Sequence, residues 1–155
     1  MITIVQAPDG AKVKGIKLFI AGGITNCENW QNELILRLKK ETKLNESKKF
    51  KLVIFNPRCE EIPDHNAQVK WEFKKLKKSD IISFWFSEGS VNPITLFEYG
   101  SHFKSKKKIV VGCHPNYEKR NSVIVQTELE RPKLKVQDNF EDFYTELIKT
   151  IKKLK

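Results

Sequence analysis

Cysteine is scarce in this sequence of 155 residues. The three cysteines, Cys27, Cys59 and Cys113, are widely spaced, and an odd number of isolated thiols excludes the disulfide framework that holds many small secreted domains together. The three histidines form no short-spaced sets with them, so the ligand spacing typical of zinc sites is absent as well. We therefore expect free thiols, no metal site and no cofactor.

Long apolar runs are also missing. One of the longest, Ile81–Phe86, is far too short to span a bilayer. The N-terminus lacks the basic region and apolar stretch that are typical of a signal peptide. We expect a cytoplasmic protein with no membrane partner, folded as a single domain over residues 1–155.

Arginine is rare although the chain is strongly basic. Of the 29 basic residues only four are arginine, and the formal net charge is +10. Arginine is the side chain that best recognises bases and phosphate forks, so its scarcity argues against a specific nucleic-acid interface. The lysines are spread over helix-like stretches, at residues 39–40, 74–78, 104–108 and 149–155. This pattern favours a solvated lysine surface, with no specific nucleic-acid partner and only weak, sequence-independent association with DNA.

What the sequence does contain is an alternation of short apolar runs and amphipathic stretches. Strands are predicted at residues 16–21, 51–55, 81–86 and 109–111, with a shorter fifth at Ser122–Val125, and helices at about 28–42, around 69–76, from Pro93, and at 140–154. This alternation predicts an α/β fold with a doubly wound, five-stranded parallel sheet flanked by helices, of the flavodoxin or Rossmann kind. Residues 1–15 are expected to form either an edge strand at Thr3–Gln6 or a loose arm.

In such a sheet the ligand lies beyond the carboxyl ends of the strands. This rule selects the loops Gly22–Cys27, Asn56–Ile62, Ser87–Asn92 and His114–Asn121. The Gly22-Gly23 pair would let a ligand approach the backbone closely. It is neither a GxGxxG fingerprint nor a P-loop, so dinucleotide and P-loop triphosphate sites are not indicated.

Glu98 is the carboxylate with the most unusual surroundings. It lies within the apolar segment Ile94–Gly100. A carboxylate among groups that favour burial needs a partner or a chemical role, although an ordinary structural role remains the alternative. Glu98 is therefore the first candidate for a catalytic residue.

Three motifs together resemble the nucleoside 2-deoxyribosyltransferase-like family, most of all a divergent phage- and bacteria-associated branch. Phe19–Ile24 resembles that family's first strand and turn, and Leu96–Gly100 resembles its nucleophile motif. Glu72 stands eight residues before Asp80, the spacing at which the family places an acidic residue that recognises the base. The sequence departs from the family where Asn92 replaces an aspartate and Phe19 replaces a tyrosine.

The resemblance implies an enzyme that acts on the N-glycosidic bond of a (deoxy)nucleoside, by transfer or by hydrolysis. Glu98 would attack the anomeric carbon and form a covalent glycosyl-enzyme, while Glu72 would bind the base and share a proton with it. The residues implied or suggested for substrate binding are Gly22, Gly23, Asn92, Arg58 and Trp85. Trp30 and Trp71 lie at helical spacing and are more simply explained as core residues.

Several alternatives stay open at this stage. Arg58 is either a phosphate clamp or an exposed loop residue, and the first option would favour a nucleoside 5′-monophosphate N-glycosidase. A non-catalytic nucleotide-binding module is the other alternative, consistent with Phe19 and Asn92. The resemblance also implies a homodimer or a higher homo-oligomer.

Overall fold

The computed structural model describes residues 1–45, 50–59 and 64–154. Strands and helices alternate through these ranges. The strands are β1 (Ile2–Gln6), β2 (Ile16–Gly22), β3 (Leu52–Asn56), β4 (Ile81–Phe86), β5 (Lys108–Cys113) and β6 (Val136–Gln137). The helices are α1 (Trp30–Lys40), α2 (Thr42–Asn45), α3 (His65–Lys78), α4 (Pro93–His102), α5 (Arg120–Glu130) and α6 (Phe140–Lys152).

The strands form one parallel sheet in the order β1-β3-β2-β4-β5-β6. After β2, the chain places β3 on one side of β2 and then crosses over to place β4 on its other side. The order therefore reverses at β2 and β4, and a crevice opens there beyond their carboxyl ends. These ends lie at Gly22 and Phe86.

Helices cover both faces of the sheet, and each face has its own core. One core joins the sheet to α3, α4 and α5 through Trp71, Tyr99 and Val123, among others. The second core joins it to α1 and α6, for example through Leu34 and Leu147. Because β3 and β4 are buried along their whole length, their sequences are almost continuously apolar, as expected of strands covered on both faces.

Side-chain caps fix where three of the helices begin. Asn29, Asp64 and Asn139 each accept a hydrogen bond from a backbone N–H in the first turn of α1, α3 and α6. Asn26, three residues before the cap of α1, has a left-handed backbone (φ 57°). No helix within the described ranges is long and apolar enough to cross a membrane.

The predicted fold class is confirmed, but the sheet has six strands and not five. Residues 1–15 supply the edge strand β1. The prediction of a strand at Ser122–Val125 is wrong, because this segment lies inside α5. Its β-branched residues favour a strand, but Val123 and Thr127, one helical turn apart, are the buried pair that faces the core. The last strand is the short β6, which the sequence did not reveal, and the loop predicted to end at Ile62 lies partly outside the described residues.

Candidate active site

Two acidic side chains lie on one face of the sheet within electrostatic reach of each other. Glu72 is on α3 and Glu98 is on α4, both on the same face, and each is partly buried. Burial first, and the negative charge of Glu72 second, raise the pKa of Glu98 to about 8. Because that charge contributes to the raised pKa of Glu98, the two carboxyl groups lie within electrostatic reach of each other.

Gln68 holds Glu72 in place. Its Nε2 donates to Glu72 Oε1 at 2.7 Å and to the carbonyl oxygen of Pro57 at 2.8 Å. Burial raises the pKa of Glu72, and the hydrogen bond from Gln68 opposes that rise. With Oε1 occupied by Gln68, a proton carried by Glu72 is directed to its other oxygen. Gln68 was missed in the sequence, although its spacing of four from Glu72 on a predicted helix was a usable indication.

Unsatisfied polar groups mark the entrance to α4. Among the described residues, the buried side-chain polar atoms without a hydrogen-bond partner are Ser87 Oγ, Asn92 Nδ2 and Asn92 Oδ1. Buried polar atoms are rarely left unpaired, so an unpaired group indicates a ligand or a functional role. Ser87 follows directly after β4, and Asn92 immediately precedes α4. Glu98 lies six residues after Asn92, a rise of about 9 Å along the helix axis.

Gly22, the last residue of β2, and Gly23, which follows it, are glycine for different reasons. A Cβ on Gly23 would lie 2.1 Å from Asn92 Oδ1, so Gly23 leaves the room in which the Asn92 amide sits. A Cβ on Gly22 would lie 2.4 Å from the Trp30 ring, so Gly22 is required by core packing. The Gly23 carbonyl accepts hydrogen bonds from Trp30 Nε1 and Gln31 Nε2, both at 3.0 Å. Of the two, only Gly23 lies against a candidate ligand-binding side chain.

Asn92 combines this unpaired amide with a left-handed backbone (φ 50°, ψ 49°). We expect Asn92→Gly to raise the free energy of unfolding by about 1 kcal/mol, because glycine relieves the backbone strain and removes an unsatisfied buried amide. The same change should raise the KM for a nucleoside. Denaturant unfolding and steady-state kinetics would check the two effects. Asn92→Ala is the matched control, since it removes the amide and keeps a side chain in the left-handed region; equal stability of the two variants would contradict the strain argument.

One comparison with known proteins decides the family. The family model described as nucleoside 2-deoxyribosyltransferase-like matches residues 15–117. The chain belongs to the nucleoside 2-deoxyribosyltransferase-like family. No curated protein sequence matches it. The matched segment of this nucleoside 2-deoxyribosyltransferase-like chain contains Glu72, Asn92 and Glu98, together with the loops that surround them.

The sequence allowed Arg58 to be a phosphate clamp or an exposed loop residue, whereas in the structure it connects two loops by hydrogen bonds. Its Nε donates to Gln31 Oε1 at 3.0 Å, and its Nη2 donates to the carbonyl oxygen of Ile24 at 2.9 Å. The side chain is half-buried and ties the loop after β3 to the loop after β2. These donors have protein partners, which favours a structural role for Arg58, and its role in substrate binding stays a prediction.

Trp85 is a core residue, and its prediction as a substrate-binding residue is wrong. The ring is buried against α6, with ring centroids 5.2 Å from Phe140 and 5.3 Å from Phe143. It belongs to the core on the α1 and α6 face, whereas Glu98 is on the opposite face. Trp30 and Trp71 are buried in the core, as the helical spacing predicted.

The loop after β5 is fastened to the loop before α4. The Tyr117 hydroxyl donates to the carbonyl oxygen of Val91 at 2.7 Å, and Asn116 Nδ2 donates to Glu88 at 3.0 Å. His114 Nδ1 lies 3.5 Å from the same carboxylate. These bonds support the segment that carries Asn92. Within the described part of this family member, no group of three or more His, Cys, Asp or Glu side chains is placed to hold a metal ion.

Proposed function

We propose that this member of the nucleoside 2-deoxyribosyltransferase-like family cleaves the N-glycosidic bond of a (deoxy)nucleoside through a covalent glycosyl-Glu98 intermediate. The observation that carries the proposal is the buried Glu98 within electrostatic reach of Glu72, together with the unpaired buried amide of Asn92 at the entrance to α4. Two carboxyl groups that share a proton can supply a nucleophile and an acid in one step.

The bonds and protons of this mechanism balance. A carboxylate oxygen of Glu98 attacks the anomeric carbon while the bond from that carbon to the base nitrogen breaks. The proton held by the pair passes through Glu72 to the departing base, which takes the electron pair of the broken bond. A second base or water then attacks the same carbon, gives a proton to Glu72 and releases Glu98 as a carboxylate, which restores the one proton of the pair. Two displacements give net retention at the anomeric carbon.

Asn92, Ser87 and Gly23 are the residues we propose for the sugar. The Asn92 amide offers one acceptor and two donors, and a hydroxyl-rich furanose can satisfy all of them. Ser87 Oγ adds a further donor or acceptor. Gly23 has no side chain to fill the space between its backbone and Asn92.

A nucleoside is favoured over a nucleoside 5′-monophosphate as the substrate. The monophosphate hypothesis rested mainly on Arg58, whose Nε and Nη2 donate to Gln31 and Ile24 in the ligand-free protein. A phosphate at this point would have to displace those bonds. The alternative of a non-catalytic module has one observation in its favour, since Phe19 packs on Trp71 (centroids 6.1 Å apart) and offers no phenol to orient Glu98.

Incubation with a panel of ribonucleosides, 2′-deoxyribonucleosides and their 5′-monophosphates, followed by chromatography for free base, tests the proposal. We expect base release from at least one nucleoside, with faster exchange when a second base is added. Release from monophosphates alone would favour the monophosphate glycosidase. Binding of a nucleoside without release from any member of the panel would favour the non-catalytic module.

We also propose that the chain forms a homodimer or a larger homo-oligomer through the outer face of α4. Phe97 is 75% exposed and Ile94 60% exposed on this face, and neighbouring large apolar residues in water favour association. Phe97→Asp should therefore yield a particle near 18.1 kDa in light scattering, whereas the unaltered chain should be at least twice as heavy. A monomeric unaltered chain at micromolar concentration would contradict the proposal.

A further inference from the structure

A basic groove lies at the opposite end of the sheet from the candidate active site. It is a cavity of about 340 Å³ between the start of β5, the segment before β6 and the outer side of α6. We define this basic groove by its charged lining residues, Lys108, Arg131, Lys133, Lys135, Lys153 and Glu146. The six residues of β5 separate the two ends of the sheet by roughly 17 Å, so one small ligand cannot occupy both sites.

The charge of the basic groove is concentrated well beyond the average of the chain. Five of its eleven lining residues are lysine or arginine, compared with 29 of 155 in the whole sequence. Its one carboxylate, on Glu146, lies 3.7 Å from Lys149, which is outside the groove. Among the described residues, no carboxylate pairs with any of the four lysines of the groove. Four lysines for which the described residues provide no ion-pair partner therefore line one concavity.

Arg131 adds a positive charge to the lining of the basic groove while its side-chain donors are bound to carbonyl oxygens of the protein. Its Nη1 donates to the carbonyl oxygen of Phe103 at 3.0 Å, and its Nη2 donates to that of Lys107 at 3.1 Å. Carbonyl partners hold the guanidinium in position without neutralising its charge. Lys133 and Lys135 are exposed on the same segment and are free to adjust to an anion.

We propose that the basic groove binds a compact polyphosphate anion, either inorganic or as the tail of a nucleoside triphosphate. With five cations and one carboxylate, its formal charge complements a triphosphate, and lysine is a good point-charge partner for phosphate oxygens. None of its lining residues in the described part of the chain is aromatic, so they offer no surface on which a nucleobase could stack. The groove therefore recognises phosphate groups and not bases. This inference does not depend on the proposed function.

Calorimetric titration of the full chain with inorganic tripolyphosphate tests the proposal, with adenosine triphosphate, thymidine triphosphate, sulfate and a short single-stranded DNA as parallel ligands. We expect the three triphosphates to bind within about threefold of one another, and sulfate and DNA more weakly, because the groove contacts phosphates and offers no base platform. Added salt should weaken binding, since the contacts are between charges.

The decisive variant is Lys133→Glu with Lys135→Glu, which should weaken tripolyphosphate binding at least tenfold. Lys12→Glu with Lys14→Glu is the matched control, because it changes the net charge equally on exposed residues far from the groove and should alter binding less than twofold. Thermal melting checks that both double variants fold. If the Lys133→Glu, Lys135→Glu variant does not fold, Lys135→Gln replaces it and is expected to weaken tripolyphosphate binding about threefold.

Four outcomes would overturn the proposal. They are no binding of tripolyphosphate, equal weakening by both double variants, sulfate binding as tight as tripolyphosphate, and DNA binding that is tighter than triphosphate binding and lost in the groove variant. The second would indicate attraction by net charge alone, the third a simple anion site and the fourth a nucleic-acid partner.

Discussion

Replacing Glu98 by alanine is expected to abolish turnover while leaving the fold intact. A covalent route has no substitute for the attacking group, so the rate of base release should fall by roughly three orders of magnitude or more. The change removes a carboxyl group that is costly to bury ionised, so stability should not decrease. Base release and thermal melting of the same preparations measure both effects.

Glu128→Ala is the matched control for Glu98→Ala, because it removes an exposed carboxylate from α5 and should change neither rate nor stability. A 2-fluoro-2-deoxy nucleoside should leave a glycosyl adduct on the peptide that contains Glu98, detected by mass spectrometry. If the unaltered chain releases base and Glu98→Ala remains comparably active, the proposed nucleophile is wrong.

The pH dependence of kcat/KM is expected to be bell-shaped, with its alkaline limb near pH 8. The reaction consumes one proton from the Glu72–Glu98 pair, so the pair must hold one proton and one negative charge. At low pH both groups are protonated and no nucleophile exists. Above the pKa of about 8 the last proton is lost and the departing base receives none. We therefore expect roughly a tenfold loss of kcat/KM at pH 9 from this ionisation.

Glu72→Gln should change the shape of this profile. It removes the proton donor and also the negative charge that helps to raise the pKa of Glu98. Activity should then rise with pH to a plateau, with its midpoint below 8 and no alkaline decline. We expect Glu72→Gln to cleave natural nucleosides slowly. A deoxyriboside whose leaving group needs no proton should be cleaved by this variant nearly as fast as by the unaltered chain. If the pH profile of kcat/KM for Glu72→Gln remained bell-shaped, the proposal that the two carboxyl groups share a proton would be wrong.

The stability of the fold should follow the same ionisation. The folded-state pKa of Glu98 is raised from 4.5 to about 8, so the native state holds a proton that the unfolded chain releases. The stability linked to this proton is fully present below about pH 4.5 and is lost as pH rises through 8. The free energy of unfolding of Glu98→Gln, relative to that of the unaltered chain, should therefore increase between about pH 4.5 and 8 and stay constant above pH 8.

The sequence predicted most of the sheet because buried parallel strands leave a direct trace in it. Ile81–Phe86 is apolar throughout, and the structure buries every one of its residues. The short strand β6 left no such trace, since two residues carry no periodicity. Ser122–Val125 was misassigned because local β-propensity was outweighed by the contacts of α5 with the core.

For the candidate site, the sequence selected two carboxylates but did not reveal their surroundings. Glu98 could be selected from its apolar neighbours, and the family motif selected Glu72. Trp85 and Arg58 could not be judged in this way, because a strand does not reveal which face its side chains meet and a loop arginine does not reveal which carbonyls it binds. The unpaired atoms of Ser87 and Asn92 become visible only when every neighbour is in place.

The proposed site is divided between two helices, and this division separates recognition of the sugar from recognition of the base. Asn92 and Glu98 belong to α4 and its entry loop, so sugar contact and nucleophile share one rigid element. Glu72 and Gln68 belong to α3, which is fastened to the loop after β3 through Pro57. Exchange of α3 and that loop between relatives is thus a route by which evolution, or an engineer, can retarget the chain to another base while its glycosyl chemistry is inherited unchanged.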